Sequence, residues 1–197
     1  GRNHVVTESN DSFVAAGTSA QILSSPRSFV GTGSKQFITG AADSCIVAGR
    51  AQQIQNNNRC GILAGDGNLV EGANGIVGAG HTNQALAANS GVFCGDSNGA
   101  NAGSDQSAVL AGSTNAVTGA TNACIGAGVG NTATGNSSFI GAGTGNATAA
   151  ATSAILCGTS GTIEAACTSS VIAGGATNQI KDDPAPGTKL LARSAQS

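Results

Sequence analysis

Only His4 and His81 could serve as an imidazole base in this chain, and neither stands in a spacing that builds a catalytic dyad or a zinc site. His81 follows Gly80, and the matching positions of neighbouring segments hold Arg50, Asp66 and Asp96, a mixture that suits a solvated edge. The acidic residues Asp66, Glu71, Asp96, Asp105 and Glu164 are scattered. A glycoside-cleaving pair needs carboxyls about 5 to 10 Å apart, and only Asp66 and Asp96 come near that requirement. Six cysteines, Cys45, Cys60, Cys94, Cys124, Cys157 and Cys167, form no C-x-x-C pair. Free cysteine packs as a small hydrophobe, so these read as buried filler. Gly126-Ala127-Gly128-Val129-Gly130 invites a phosphate-loop reading, but no helix pattern follows it, and Lys35 completes no G-x-x-x-x-G-K-[ST] motif. Asn10, Asn136 and Asn146 head Asn-x-Ser/Thr triplets, though Asn146 also belongs to a structural column described below. No catalytic residue, cofactor or metal ligand is expected, and the chain reads as a non-enzyme.

What must position such residues is an unusual polymer. The chain has 197 residues, 31 of them glycine, with 9% charged and 3% aromatic side chains and a net charge of −2. So few large side chains cannot fill a deep globular core, yet 40% hydrophobic content and low charge argue against disorder. Thin stacked layers fit. The absence of a basic patch argues against a nucleic-acid partner. No run of eighteen apolar residues predicts a membrane span, and Gly1-Arg2-Asn3-His4 does not open a signal peptide.

A repeat of 15–17 residues runs through the chain, anchored on Gly17, Gly33, Gly49, Gly65, Gly80, Gly95, Gly112, Gly128, Gly143, Gly158 and Gly174. Three residues before each glycine stands Val or Ile, from Val14 and Val30 to Ile155 and Val171. These β-branched side chains suit a strand. The residue just before the glycine is small, usually Ala, with Thr32, Cys94 and Cys157 as variants. Strand alternation points it inward beside the branched residue. Three residues after the glycine runs a partial asparagine column, Asn68, Asn83, Asn98, Asn115, Asn131 and Asn146. Such amides can hydrogen-bond along a stack. Five after it, Ile22, Ile38, Ile54, Val70, Val117 and Ile163 mark a second apolar position. Each coil therefore reads as strand, glycine turn, second strand and loop. The fold class is all-β, a single-chain β-solenoid (β-roll) of about eleven coils. At roughly 4.8 Å per stacked strand it makes a rod about 50 Å long.

The solenoid is assigned to residues 12–180, with 1–11 as an N-terminal cap or linker and 181–197 as a C-terminal linker. The residues that follow each glycine (Thr18, Ser34, Arg50, Asp66, His81, Asp96, Ser113, Val129, Thr144, Thr159, Gly175) are too often charged for the flat threonine array of an ice-binding face.

The outer side of the first strand is also apolar. Phe13, Phe29, Cys45, Ile76, Cys124 and Phe139 stand four before the glycine, and Val47, Leu63, Phe93, Leu110, Leu156 and Ile172 two before it. Strands apolar on both faces are buried on both, and a stripe this long exceeds an ordinary exposed patch. A self-association interface is expected at Phe13, Phe29, Val47, Leu63, Phe93, Leu110, Phe139, Leu156 and Ile172, closed by cyclic symmetry.

The pattern Ser-x-Val/Ile-x-small-Gly-x-x-Asn-x-Ile/Val resembles the YadA-like head repeats of trimeric autotransporter adhesins, and related repeats in fibres of phages and large viruses. The resemblance spans residues 12 to about 180. It implies a homotrimer of left-handed β-rolls and a role in attachment to a host-surface receptor, such as a glycan. The chain departs from bacterial heads in its longer coil and in ending with Lys181-Asp182-Asp183-Pro184-Ala185-Pro186-Gly187 in place of a neck rich in Asp-Ala-Val-Asn. Six cysteines suit assembly in a reducing cytoplasm better than passage through an oxidising periplasm. Arg193-Ser194-Ala195-Gln196-Ser197 resembles the stretch before the self-cleavage point of the chaperone domain that ends many viral tail spikes, which makes Ser197 a candidate processing point. The expected role is a trimeric fibre shaft or host-attachment appendage on a virion surface. The alternatives are a bacterial adhesin head at the cell surface and, less favoured, a glycan-degrading tail-spike β-helix.

Overall fold

Val30 and Ile46, one coil apart in the sequence, pair side by side in parallel strands, and this relation repeats along the whole molecule. The structure, a computed structural model, describes residues 3–181. It is an all-β solenoid without helices among those residues. Each coil contributes one strand to each of two parallel sheets, of eleven and twelve strands. The smaller sheet stacks the strands that precede the glycine, Phe13–Val14 through Val171–Ile172. The larger stacks those that follow it, Val5–Thr7 through Gln179–Ile180. A third line of single-residue bridges joins the positions just after each glycine, from Thr18↔Ser34 to Thr159↔Ala176. The segment expected as a cap or linker thus supplies the end strand of the larger sheet.

The core is as narrow as the composition requires. Val30, Ile46, Ile62, Val77, Val92, Val109, Ile125, Ile140 and Ile155 from one sheet meet Ile22, Ile38, Ile54, Val70, Val117 and Ile163 from the other, all fully buried. Burying one such side chain stabilises the fold by about 1.5–3 kcal/mol, and the gain recurs coil after coil. Where Ala85, Ala100 and Ala133 stand in the second column the layer is thinner, still sealed.

The anchor glycines are required by contact as well as conformation. Gly112 has φ +101°, and a Cβ there would stand 2.8 Å from Gly128 N and 2.6 Å from Asn115 Nδ2. Neighbouring turns are stacked too closely for any side chain. Beside them runs the asparagine ladder, wholly inside the rod. The Asn98 N–H donates to Asn83 Oδ1 at 3.0 Å, and Asn98 Nδ2 donates to Cys94 O at 3.1 Å and Gly112 O at 2.8 Å. Each such asparagine therefore ties its own turn to both neighbouring coils, its backbone N–H to the one before and its side-chain amide to the one after. In the early coils Gln52 takes the position, with its Oε1 accepting from Asn68 N–H at 3.0 Å. Serines five before the glycine act similarly on the other side: Ser107 Oγ donates to Ala120 O at 2.8 Å and accepts from Ala123 N–H at 3.0 Å.

Two expectations are corrected here. The small residue before each glycine does not point into the core: Cys94 and Cys157 are exposed, as are Ala16 and Thr32. Strands of two residues end at the branched position, and the chain turns before alternation can carry the next inward side chain round. The second correction is the last coil. Ile155 pairs with Ile172, and the left-handed glycine is Gly175, φ +104°, so this coil is one residue longer than the Gly174 anchor implied. The residue bridged to Thr159 is accordingly Ala176 and not Gly175.

Candidate docking face

The candidate site is the outer face of the smaller sheet. Val47, Leu63, Phe93, Leu110 and Leu156 project from it two before the glycine, and Phe13, Phe29 and Phe139 four before it; all eight are exposed. These are eight of the nine residues assigned to the interface. The ninth, Ile172, is 6% exposed and belongs to the core. The extra residue in the last coil turns it inward and brings Val171, expected inside, to the surface at 51% exposure. Two adjacent glycines, Gly174 and Gly175, allow both alignments. The signal that distinguishes them lies five residues on, where Ile180 packs against the core and Gln179 is exposed.

No charged residue occurs in any coil between the serine column and the anchor glycine, from Ser12–Gly17 to Ser170–Gly175. The ion pairs occupy other sides. Arg27 and Asp43 form a two-pronged bridge at 2.6 and 2.9 Å, Arg50 lies against Asp66, and His81 Nδ1 stands 3.0 Å from Asp96 Oδ1. The two outward columns are also reciprocal in size. Phe29 precedes Gly31, Ile76 precedes Gly78 and Phe139 precedes Gly141; conversely Gly61 precedes Leu63, Gly91 precedes Phe93 and Ala108 precedes Leu110. A Cβ on Gly31 or Gly141 would stand 3.4 Å from the ring of Phe29 or Phe139, and one on Gly91 3.3 Å from the ring of Phe93, so these three rings lie over their small neighbours. Phe13 and Phe29 stack at the start of the face, centroids 6.0 Å apart.

Chemistry is sparse elsewhere. Arg50 hydrogen-bonds the Asp66 carboxyl, and His81 that of Asp96; both carboxyls are held below their ordinary range. His81 separates the two in the bridge ladder. No protein-family model matches the chain, and no curated protein does. No disulfide joins any two of the six cysteines. Cys45 and Cys124 sit half-buried on the outer face of the smaller sheet, where burial pushes their thiols up. Cys60 is buried in the serine column with its Sγ 3.2 Å from Gly72 O, and burial raises it as well. No cluster of metal-ligating residues occurs among the described residues, and no helix there is long and apolar enough to cross a membrane. Ser197 lies outside the described residues.

Proposed function

We propose that the chain is a non-enzymatic segment of a fibre in which three copies pack round a common axis through the apolar face of the smaller sheet. A β-solenoid is compatible with fibre, adhesin and tail-spike roles alike. The observation that carries this reading is the uncharged stripe of exposed Phe, Leu and Val running the length of the rod. Left in water it would far exceed the apolar patches of monomeric proteins. Reciprocal sizing favours parallel copies at the same height, because the bulky side chain of each coil then meets the small position of the same coil on its neighbour. The number three comes from the resemblance of the repeat to YadA-like heads and viral fibre repeats. Ionised Asp66 and Asp96 are poorly suited to proton donation, which speaks against the tail-spike hydrolase reading.

We place the fibre on a virion surface, as shaft or host-attachment appendage. Six cysteines with no disulfide among them suit assembly in a reducing compartment. The bacterial adhesin head remains the second reading, supported by the same repeat pattern. Light scattering tests the assembly. The expected mass is three times 18.7 kDa, falling to 18.7 kDa when Phe29→Lys and Leu110→Lys are combined. A wild-type chain of single mass, or an unchanged mass in the double variant, sinks the proposal.

A further inference from the structure

The outward column of the larger sheet is bulky through Gln21, Phe37, Gln53, Leu69 and Gln84, then drops abruptly to Gly99 and Ala116. At that step lies an open hollow of about 280 Å³. Gln84 walls it, Gly99 and Ala116 form its floor, and Thr82, Ser97 and Asn101 stand on its rim. Thr82 Oγ1 and Ser97 Oγ are 2.8 Å apart, and both hydroxyls donate to Asp96 Oδ1, at 3.3 and 2.8 Å. Asn101 Nδ2 donates to Thr118 Oγ1 at 2.9 Å, while its Oδ1 is turned over Gly99, 2.7 Å from where a Cβ would stand. The amide of Gln84 is exposed and has no hydrogen-bond partner among the described residues.

We propose that this hollow binds one unit of a neutral saccharide. No Lys or Arg lines it, so a phosphate or carboxylate ligand would meet no cation. An apolar ligand would cover amides and hydroxyls without pairing them, which costs free energy for each group. A neutral sugar presents hydroxyls that both donate and accept, round a ring with C–H faces. The Gln84 amide offers both roles and Asn101 Nδ2 keeps one hydrogen to donate, while the hydroxyls of Thr82 and Ser97, whose hydrogens go to Asp96, offer lone pairs that accept. The Ala116 methyl and the bare Gly99 backbone give the C–H face a small apolar floor. A few convergent polar groups round an apolar floor is the usual make-up of a small-ligand site. The two sheets turn their buried columns toward one core, so this surface points away from the docking face. Copies packed through the apolar face of the smaller sheet, as proposed above, would leave this site open.

The test is an array of neutral and acidic oligosaccharides probed with the whole chain, followed by calorimetric titration of the retained glycan. Retention of at least one neutral glycan is expected. Gly99→Gln should weaken it by about tenfold or more, because it puts into the hollow the side chain that Gln84 carries one coil earlier. Gly99 has no left-handed φ to strain, and the flexible Asn101 side chain can yield. Ala116→Gln fills the hollow from the next coil and serves if the first variant does not fold. A blank array, retention of acidic glycans alone, or undiminished binding by the folded variant overturns the site. The particle mass in light scattering is unaffected by either result, so failure here is separable from failure of the fibre reading.

Discussion

The Asn115 N–H donates to Asn98 Oδ1 at 3.0 Å, and Asn115 Oδ1 in turn accepts from Asn131 N–H at 3.0 Å, inside a rod where all three side chains are buried. Coil n therefore fixes the height of coil n+1 through a side chain. Sheet hydrogen bonds alone would let adjacent coils differ at the turn.

Asn98→Leu keeps the volume and removes these bonds. It orphans the Asn115 N–H and takes one donor each from the carbonyls of Cys94 and Gly112. An unsatisfied buried backbone group costs about 1–3 kcal/mol, so chemical denaturation should show a loss of roughly 3 kcal/mol or more. A loss under about 1 kcal/mol would mean that the ladder is incidental to stability.

The last coil gives a direct test of register. Ile172→Lys puts an ammonium into the core and should unfold or severely fray the final coil, measured by circular dichroism and by protease sensitivity between residues 164 and 181. Val171→Lys, one residue earlier, changes an exposed side chain and should move stability by no more than about 0.5 kcal/mol in the dissociated chain. The opposite ranking would restore Gly174 as the anchor and return Ile172 to the surface.

Acid should weaken the rod in a defined window. Asp43, Asp66 and Asp96 are all held below the ordinary aspartate value of 3.8, chiefly by hydrogen bonds from Arg27, Arg50 and His81. A depressed carboxyl binds protons more weakly folded than unfolded, so its contribution is present above 3.8 and is lost as pH falls through the lower folded value. Melting temperature should drop as pH is taken from 5 toward 2, by a small amount because all three groups are solvent-exposed. The triple variant Asp43→Asn, Asp66→Asn, Asp96→Asn should start lower and show a flatter profile. An equally steep profile in the variant would assign the acid sensitivity to other carboxyls.

The sequence by itself determined the period, the all-β solenoid and the branched columns that build the core from Val30 to Ile155. Branched residues such as Val30 and Ile46 recur once per coil, and a chain this poor in large side chains can bury them only in stacked layers. It also determined the uncharged apolar stripe, since exclusion of charge from Ser28–Gly33 and its counterparts needs no coordinates to be seen. Tertiary structure alone decided where Cys94, Cys157, Val171 and Ile172 point. Alternation predicts side-chain direction while a strand continues, and strands of two residues leave the rest to turns whose left-handed glycines redirect the chain. It also decided that the asparagine amides face inward across coils, and that replacing Gln84 by Gly99 at the next level leaves a polar hollow. Both are relations between residues brought together by stacking, at distances that depend on the height and rotation of each coil, which the identities of the residues do not encode singly.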